Sequence, residues 1–387
     1  MSGRLLISAW PGETRVARLD ARDELSFLRI LREPRPPALD DIYYARVSRL
    51  DRGLNAAFVD LGPSPPGFLP LGKTVTRPAE GAALALRVTR APAEDKGAKL
   101  ALAEMDPPAG ATPPTCLQRG EDLAGLLRAR AAPADEIVCD DSALRDRLRA
   151  AGIEAAFHMG PAALFDDGLE AEIEALLLPE VRLAGGGGLL IEPVRTLTAI
   201  DVNSGRQDGR GGARRKALEV NLEAAAEIAR QVDLRDLSGR IVVDFLEMAG
   251  KRERDQLMEA LRAAVADDPE PVQVQPLRGS GLAELTRRRS RPPLHEVLCA
   301  PVGLGGCGWA KSAATRAFEL VRALDARPAG ATPRVRVTPA VAAALAGPAA
   351  DALARLEERR GGLPDIAQVA ADALDQEGYS LDEGEQR

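Results

Sequence analysis

Over the first hundred residues apolar and polar positions alternate with period two, interrupted at short intervals by Gly, Pro and Asp. This pattern predicts half-buried strands joined by tight turns. Arg4–Trp10 and Thr14–Leu19 flank a Pro11-Gly12-Glu13 turn, Leu25–Leu31 completes a meander, and Pro34 to Pro37 break the chain. Five further strands are expected at Ile42–Leu50, Asn55–Leu61, Gly67–Pro70, Ala83–Arg90 and Lys99–Glu104, the count of a small OB-type barrel. A Pro-rich linker, 107–115, follows.

The period then becomes helical. Ser142–Ala151 and a segment carrying Leu169, Ile173, Leu176 and Leu177 each gather apolar residues on one face. Past Gly185–Gly188, which lacks the Lys-Ser/Thr of a P-loop and reads as a flexible turn, strand and helix alternate. Leu189–Ile191 pairs with Leu197–Asn203. A helix capped by Asn221 runs through Arg235, with Leu222, Ala225, Ile228, Ala229 and Val232 in one stripe. Arg240–Glu247, a helix near 252–266 and a strand near 272–277 complete an α/β layer with a mixed sheet. Residues 312–387 read as a small helix-rich domain built on Ala313–Leu324, Arg334–Val337, Val341–Leu345 and Ala349–Arg359, with a frayed acidic tail from about Asp375.

Two of these strands are chemically unusual. Leu197-Thr198-Ala199-Ile200-Asp201-Val202-Asn203 and Ile241-Val242-Val243-Asp244 are apolar runs expected to be buried, and each carries one acid. An unpaired carboxylate in a core costs several kcal/mol or a large pKa shift, so it needs a cation, a partner or a ligand. Asp201 and Asn203 lie two apart and share a face. Asp244 falls on the neighbouring strand if the connecting helix makes a crossover. Two such carboxylates can hold one Mg²⁺, with water completing the octahedron, and Asn203 can bond a phosphate oxygen or orient a water. Singly, each Asp reads as a turn or strand-end residue. The pair, followed at once by the basic loop residues Arg206, Arg210, Arg214, Arg215 and Lys216, favours the metal. Arg287, Arg288, Arg289 and Arg291 form a second cationic cluster, and either cluster could grip phosphates.

Phe58 and Phe68 are candidates to stack on bases, the other reading being barrel core; Phe58 alternates with Ala57 and Val59, so one of those sets faces out. Lys96, in a Glu94-Asp95-Lys96-Gly97 turn, is a candidate phosphate contact.

Composition narrows the partners. Formal net charge is −7, which excludes a uniformly basic nucleic-acid coat and confines any such contact to local patches. No apolar run reaches the roughly 20 residues of a membrane span, and no secretory leader is evident, so a cytoplasmic protein with reduced thiols is expected. Of Cys116, Cys139, Cys299 and Cys307, the last two are candidates for Zn²⁺, although seven residues separate them in a Gly-rich stretch and no Cys-x-x-Cys is present. With only His158 and His295, a His-based triad has little support.

Together Leu197 to Ser204, Asn221-Leu222-Glu223-Ala224-Ala225, Ile228 to Gln231, Leu234-Arg235-Asp236-Leu237 and Ile241 to Phe245 resemble the ribonuclease E/G family, as do Ala56 to Asp60 with Gly67 to Leu71. The resemblance implies an α/β, more broadly α+β, multi-domain fold. An OB-type RNA-binding barrel (38–106) is inserted in a ribonuclease-H-like scaffold (1–35 and 116–184). A deoxyribonuclease-I-like catalytic domain (185–294), a degenerate zinc-link region (295–311) and a small C-terminal domain (312–387) follow. It implies Mg²⁺ at Asp201 and Asp244, a phosphate contact at Asn203, and RNA gripped by Phe58, Phe68 and Lys96; Arg206 and Arg210, from the basic loop, are added as RNA contacts on their charge alone. The activity implied is Mg²⁺-dependent hydrolysis of single-stranded RNA to 5′-phosphate and 3′-hydroxyl ends, in RNA processing or decay.

Two departures from the family are legible. Its 5′-monophosphate sensor, with an Arg-Thr pair, has no counterpart in the short stretch 107–133, so cleavage independent of the 5′ end is expected. Its intersubunit Cys-Pro-x-Cys zinc link is replaced by Cys299-Ala300-Pro301 through Gly306-Cys307-Gly308, which leaves shared zinc and a homodimer open. The alternatives are a non-catalytic RNA-binding or ribosome-assembly protein on the same scaffold and, third, a deoxyribonuclease.

Overall fold

The N-terminal period-two segments become strands almost residue for residue. The computed structural model describes residues 3–62, 64–72, 77–92, 96–159, 163–194, 196–205, 213–248, 250–276, 281–302, 308–328, 333–374 and 378–382, with the backbone alone for 213–216. These form two units. One comprises Met1–Arg35, Arg130–Ile173 and Leu294–Arg387, the other Pro36–Ala129 and Glu174–Pro293.

In the first unit Arg4–Trp10, Glu13–Leu19 and Leu25–Arg32 make an antiparallel meander. Glu136–Cys139 adds in parallel to Arg4–Trp10, and Ala156–Phe157 forms the far edge. Several buried charged residues of this unit are paired. Glu13 accepts from Arg15 at 2.6 Å and from Arg32 at 2.7 Å, while Arg15 and Arg322 both reach Glu170 at 2.9 Å. Burial opposes a charge on Glu13, but the two guanidinium groups outweigh it and lower its pKa to about 2.

The C-terminal part of the same unit packs helices Ala313–Asp325, Pro339–Leu345 and Ala350–Arg360 with a three-stranded sheet around Phe318, Leu320, Leu324, Val335 and Leu356. The expected frayed tail is a strand over part of its length. Tyr379–Asp382 pairs antiparallel with Arg334–Val337, the alternation of Tyr379 and Leu381 supplying its apolar face. Ile366–Gln368 lies on the other side of Arg334–Val337.

In the second unit Ile42–Asp51, Ala56–Asp60, Gly67–Pro70, Ala83–Arg90 and Lys99–Leu102 close into a five-stranded barrel, because Ile42–Asp51 pairs with both Ala56–Asp60 and Ala83–Arg90. Ala57, Val59, Leu69, Leu86, Val88 and Leu100 fill it. The chain does not leave the barrel at the Pro-rich stretch. Thr115–Gln118 returns antiparallel to Ile42–Tyr44 as a sixth strand.

The remainder of this unit is a mixed six-stranded sheet in the order Glu180–Arg182, Gly188–Val194, Leu197–Asn203, Gly239–Asp244, Leu282–Arg287, Val272–Val274. Among the described residues of this sheet only Leu197–Asn203 and Gly239–Asp244 run parallel, joined by the helix Ala213–Leu234. That helix and Lys251–Ala264 cover one face of the sheet. Ile200, Val202, Ile241, Val243, Ala283 and Leu285 meet Val220, Ala224, Ile228, Val232, Leu257 and Leu261 there. Each fully buried Ile, Val or Leu contributes roughly 1.5–3 kcal/mol, so this layer holds the strands firmly in register.

The second cationic cluster is part of this framework and not an open phosphate grip. Arg287 ends a strand with its side chain buried, donating to Asp236 at 2.7 Å and to Asp268 at 2.8 and 3.0 Å. Burial disfavours its charge, but Asp268 and Asp236 overcome this and raise its pKa. Arg288 pairs with Glu270, Arg291 with Asp236, Glu121 and Glu270, and Arg289 donates to the Pro92 carbonyl. An isolated run of arginines does not reveal acids 18 to 170 residues away, which is why the sequence reads it as a cluster that could grip phosphates.

Candidate active site

Asp201 and Asp244 are direct partners across the parallel strands Leu197–Asn203 and Gly239–Asp244, near the carboxyl ends of those strands. Ligands of α/β layers bind at such ends. Neighbouring strands lie about 4.8 Å apart, and partner residues point to the same face. The strands alternate as expected, but the acids take the opposite face to the one their apolar neighbours suggest. Ile200, Val202 and Val243 are buried under the helices, whereas Asp201, Asn203 and Asp244 are exposed on the uncovered face. The expectation of acids in the core is corrected: what makes them unusual is lateral crowding.

Two carboxylates at about 5 Å repel by roughly 1 kcal/mol in water and about 3 kcal/mol at the effective dielectric of a protein surface. Other acids of the chain, such as Glu13, Asp236 and Asp268, are matched by arginine. Among the described residues neither Asp201 nor Asp244 has a hydrogen-bond or ion-pair partner, and Arg240 on the same face is engaged by Glu284 at 3.1 Å. Two side-by-side carboxylates with an amide two residues away are a hard-oxygen donor set that fits a divalent cation retaining several waters. Among the described residues no cluster of three acid, His or Cys groups exists that would form a fuller metal cage. Arg206 and Arg210 lie outside the described residues, as do the side chains of Arg214, Arg215 and Lys216.

The surroundings fix this edge of the sheet. Gly205 has φ +67°, and a Cβ there would fall 2.0 Å from the Gly186 carbonyl oxygen; one on Gly187 would fall 2.7 Å from the Asn203 carbonyl oxygen. The glycine run is thus the mould of the Asn203–Gly205 backbone, where a flexible turn was expected. Glu223 secures it by accepting from the Gly185 amide at 2.9 Å. Asn221, expected as a helix cap, lies well inside a helix that begins at Ala213. It is fully buried, and its amide makes two hydrogen bonds with Leu246.

On the barrel, Phe58 and Phe68 are both outside the core. They are cross-strand partners, half-buried, with rings edge to face at 5.9 Å between centroids. The outward set is therefore that of Phe58, and Ala57 and Val59 point in. The same cross-strand line continues in both directions. Arg49 partners Phe58 and sits 4.4 Å from its ring centroid, Lys99 partners Phe68, and Arg90 partners Lys99. Arg49, Phe58, Phe68, Lys99 and Arg90 thus form a cation–aromatic–cation band across all five barrel strands, with the three cations exposed. The sequence reading missed Arg49, Lys99 and Arg90. Their signal was the strand register, which brings together positions 9 to 50 residues apart. Lys96 is exposed beside the Lys99–Leu102 strand, and Gly97 is packed so tightly that a Cβ would lie 1.8 Å from the Pro66 carbonyl oxygen.

Cys299 begins the strand Cys299–Val302, which pairs with Gly308–Lys311. It is buried. Cys307 lies outside the described residues.

Residues 131–290 match the model of the Ribonuclease E/G family. Over this segment the chain is similar to the ribonuclease E/G family. A chloroplastic ribonuclease E/G-like protein of Arabidopsis thaliana is 44% identical over 135 residues, 34% of this chain and 14% of that protein. Escherichia coli ribonuclease E is 43% identical over 128 residues, 33% of this chain and 12% of that protein. Escherichia coli ribonuclease G is 34% identical over 198 residues, 50% of this chain and 40% of that protein. The chain therefore matches less than half the length of these relatives. The matched family segment includes Asp201, Asn203 and Asp244 and ends within the Arg287–Arg291 framework.

No helix among the described residues is long and apolar enough to cross a membrane.

Proposed function

We propose that this chain is a metal-dependent endoribonuclease acting on single-stranded RNA. The observation that carries this reading is the uncompensated pair Asp201 and Asp244, set side by side on adjacent parallel strands within the ribonuclease E/G segment. Mg²⁺ bound there would supply Lewis acidity to a phosphodiester and lower the pKa of a coordinated water. Asp201 and Asp244 would hold the cation. Asn203, on the same face, donates from its amide to a non-bridging phosphate oxygen and fixes the phosphodiester relative to the acids. The outward band Arg49, Phe58, Phe68, Lys99 and Arg90 holds the strand, the rings stacking on bases and the cations contacting phosphates. Lys96 adds a phosphate contact at the rim, and Arg206 and Arg210 add phosphate contacts after the acid strand. Water cleavage leaves a 5′-phosphate and a 3′-hydroxyl. Binding does not use the 5′ end, since 107–133 carries no Arg-Thr pair.

The other reading, a non-catalytic RNA-binding protein, makes the same use of the barrel but gives the acids no task. Incubating a labelled single-stranded RNA with and without Mg²⁺, then analysing the ends, separates the two. Asp201→Asn and Asp244→Asn should each reduce cleavage at least a hundredfold while RNA affinity stays within about threefold. Cleavage by either variant at the wild-type rate would remove the acids from the mechanism.

A further inference from the structure

Asn221 occupies the interior of the helix Ala213–Leu234 with no exposed surface. A buried amide in a helix core is costly unless its polar atoms are satisfied. Here both ends of the amide are used on one residue. Asn221 Nδ2 donates to the Leu246 carbonyl at 2.9 Å, and the Leu246 amide donates to Asn221 Oδ1 at 3.0 Å. This is the pairing that a neighbouring strand would make. It begins two residues beyond Asp244, where Gly239–Asp244 and its described strand pairing have ended.

The side chain thus replaces the lost sheet partner. It ties the outgoing backbone of the Asp244 strand to the helix that itself leads out of the Asp201 strand. The same turn of the helix contributes Glu223, which fixes the glycine run against Asn203–Gly205. Both acid-bearing strand ends are therefore referenced to a single turn of one helix.

We infer that Asn221 is a positioning residue, which holds the Asp244 carboxylate at the separation from Asp201 that a divalent cation requires. The inference rests on the metal reading of the acid pair. Without the clamp the segment from Phe245 to Met248 gains freedom, and Asp244 relaxes away from Asp201 under their mutual repulsion. Cation affinity then falls, while strand binding on the barrel is untouched.

The test uses the full chain, with Mn²⁺ as probe, read by electron paramagnetic resonance, and thermal melting in parallel. Asn221→Leu keeps the volume and removes both hydrogen bonds. Asn221→Asp keeps the acceptor for the Leu246 amide and turns the donor into a repelling oxygen. Ile228→Ala damages the same helix–sheet core without touching the clamp. Both Asn221 variants should weaken Mn²⁺ binding tenfold or more and shift the Mg²⁺ needed for half-maximal cleavage upward by a similar factor, with KM for RNA unchanged. Ile228→Ala should lower the melting temperature but leave Mn²⁺ affinity within twofold. Asp244→Asn sets the reference for loss of the site. If it abolishes Mn²⁺ binding while folded Asn221→Leu and Asn221→Asp bind as wild type does, the positioning role is overturned and the metal site stands. If Asp244→Asn binds Mn²⁺ as tightly as wild type, the metal reading falls and the inference with it. Should Asn221→Leu fail to fold, the Asn221→Asp result decides alone.

Discussion

Phe58 and Phe68 meet edge to face on the outside of the barrel, 5.9 Å between ring centroids, with the Arg49 guanidinium 4.4 Å from the Phe58 ring. Aromatic rings held half-exposed by each other and by a cation are a surface and not a core. Base stacking on such a ring contributes about 1–3 kcal/mol. Phe58→Ala and Phe68→Ala should each raise the dissociation constant for single-stranded RNA about fivefold to a hundredfold, with little change in turnover at saturating RNA. Because neither side chain fills the barrel, the melting temperature should move by only a few degrees. A large loss of melting temperature with unchanged affinity of the folded fraction would return both rings to a packing role.

The strands of the meander and barrel were legible because alternation and turn chemistry agree in Pro11-Gly12-Glu13 and Asp51-Arg52-Gly53. The acid pair was legible as residues, but its face was not. Ile200 and Val202 announce a buried strand equally well whichever side Asp201 takes, and only the helices covering Ile200 and Val202 decide it. Leu282–Arg287 was missed as a strand because the eye is drawn to its terminal arginines. The acids that neutralise them, Asp236 and Asp268, stand 51 and 19 residues away. Asn221 was visible as a residue that favours helix caps. Nothing local shows that it bonds to Leu246, 25 positions on.

The buried guanidinium of Arg287 makes a sharp prediction about stability. Removing one partner of a buried ion cluster leaves charges without compensation and costs about 3–5 kcal/mol. Arg287→Leu should therefore lower the urea midpoint strongly, by stranding Asp236 and Asp268. Adding Asp236→Asn and Asp268→Asn to Arg287→Leu should recover part of the loss, since the members are coupled. A loss below about 1 kcal/mol for Arg287→Leu would mean that the cluster is solvated in solution.

Glu13 makes the first unit sensitive to acid. Its pKa is lowered from 4.5 to about 2, so the folded state binds its proton less readily than the unfolded chain does. The resulting stabilisation is complete above pH 4.5 and is lost as pH falls towards 2. Its size is on the order of 3 kcal/mol. Glu13→Gln removes the titration and leaves Arg15 and Arg32 without their shared carboxylate. The variant should be markedly less stable than wild type at pH 7, and the gap should close between pH 4.5 and 2. Other carboxylates titrate in both proteins and cancel in the difference. A gap that stays constant from pH 7 to pH 2.5 would show that folding does not lower the pKa of Glu13.

The last prediction concerns how RNA is chosen. A pocket for a terminal phosphate would tether one end and raise the local concentration of the cleavage site. In this chain the segment after the barrel is taken up by Thr115–Gln118, which pairs with the barrel, and by the short helix Leu123–Arg130, and 107–133 holds no Arg-Thr pair. Recognition then falls to the barrel band. RNAs that differ only in a 5′-monophosphate or 5′-hydroxyl should be cut at rates within about threefold of each other. Affinity should carry the salt signature of a few phosphate contacts. For single strands the logarithmic slope is about −0.7 per neutralised phosphate, so three contacts from Arg49, Lys99 and Arg90 give a slope of roughly −2. Lys99→Gln should flatten that slope by about 0.7 and weaken binding of all sequences alike. A tenfold preference for the monophosphorylated RNA, or a slope unaffected by Lys99→Gln, would place the main RNA contacts elsewhere on the molecule.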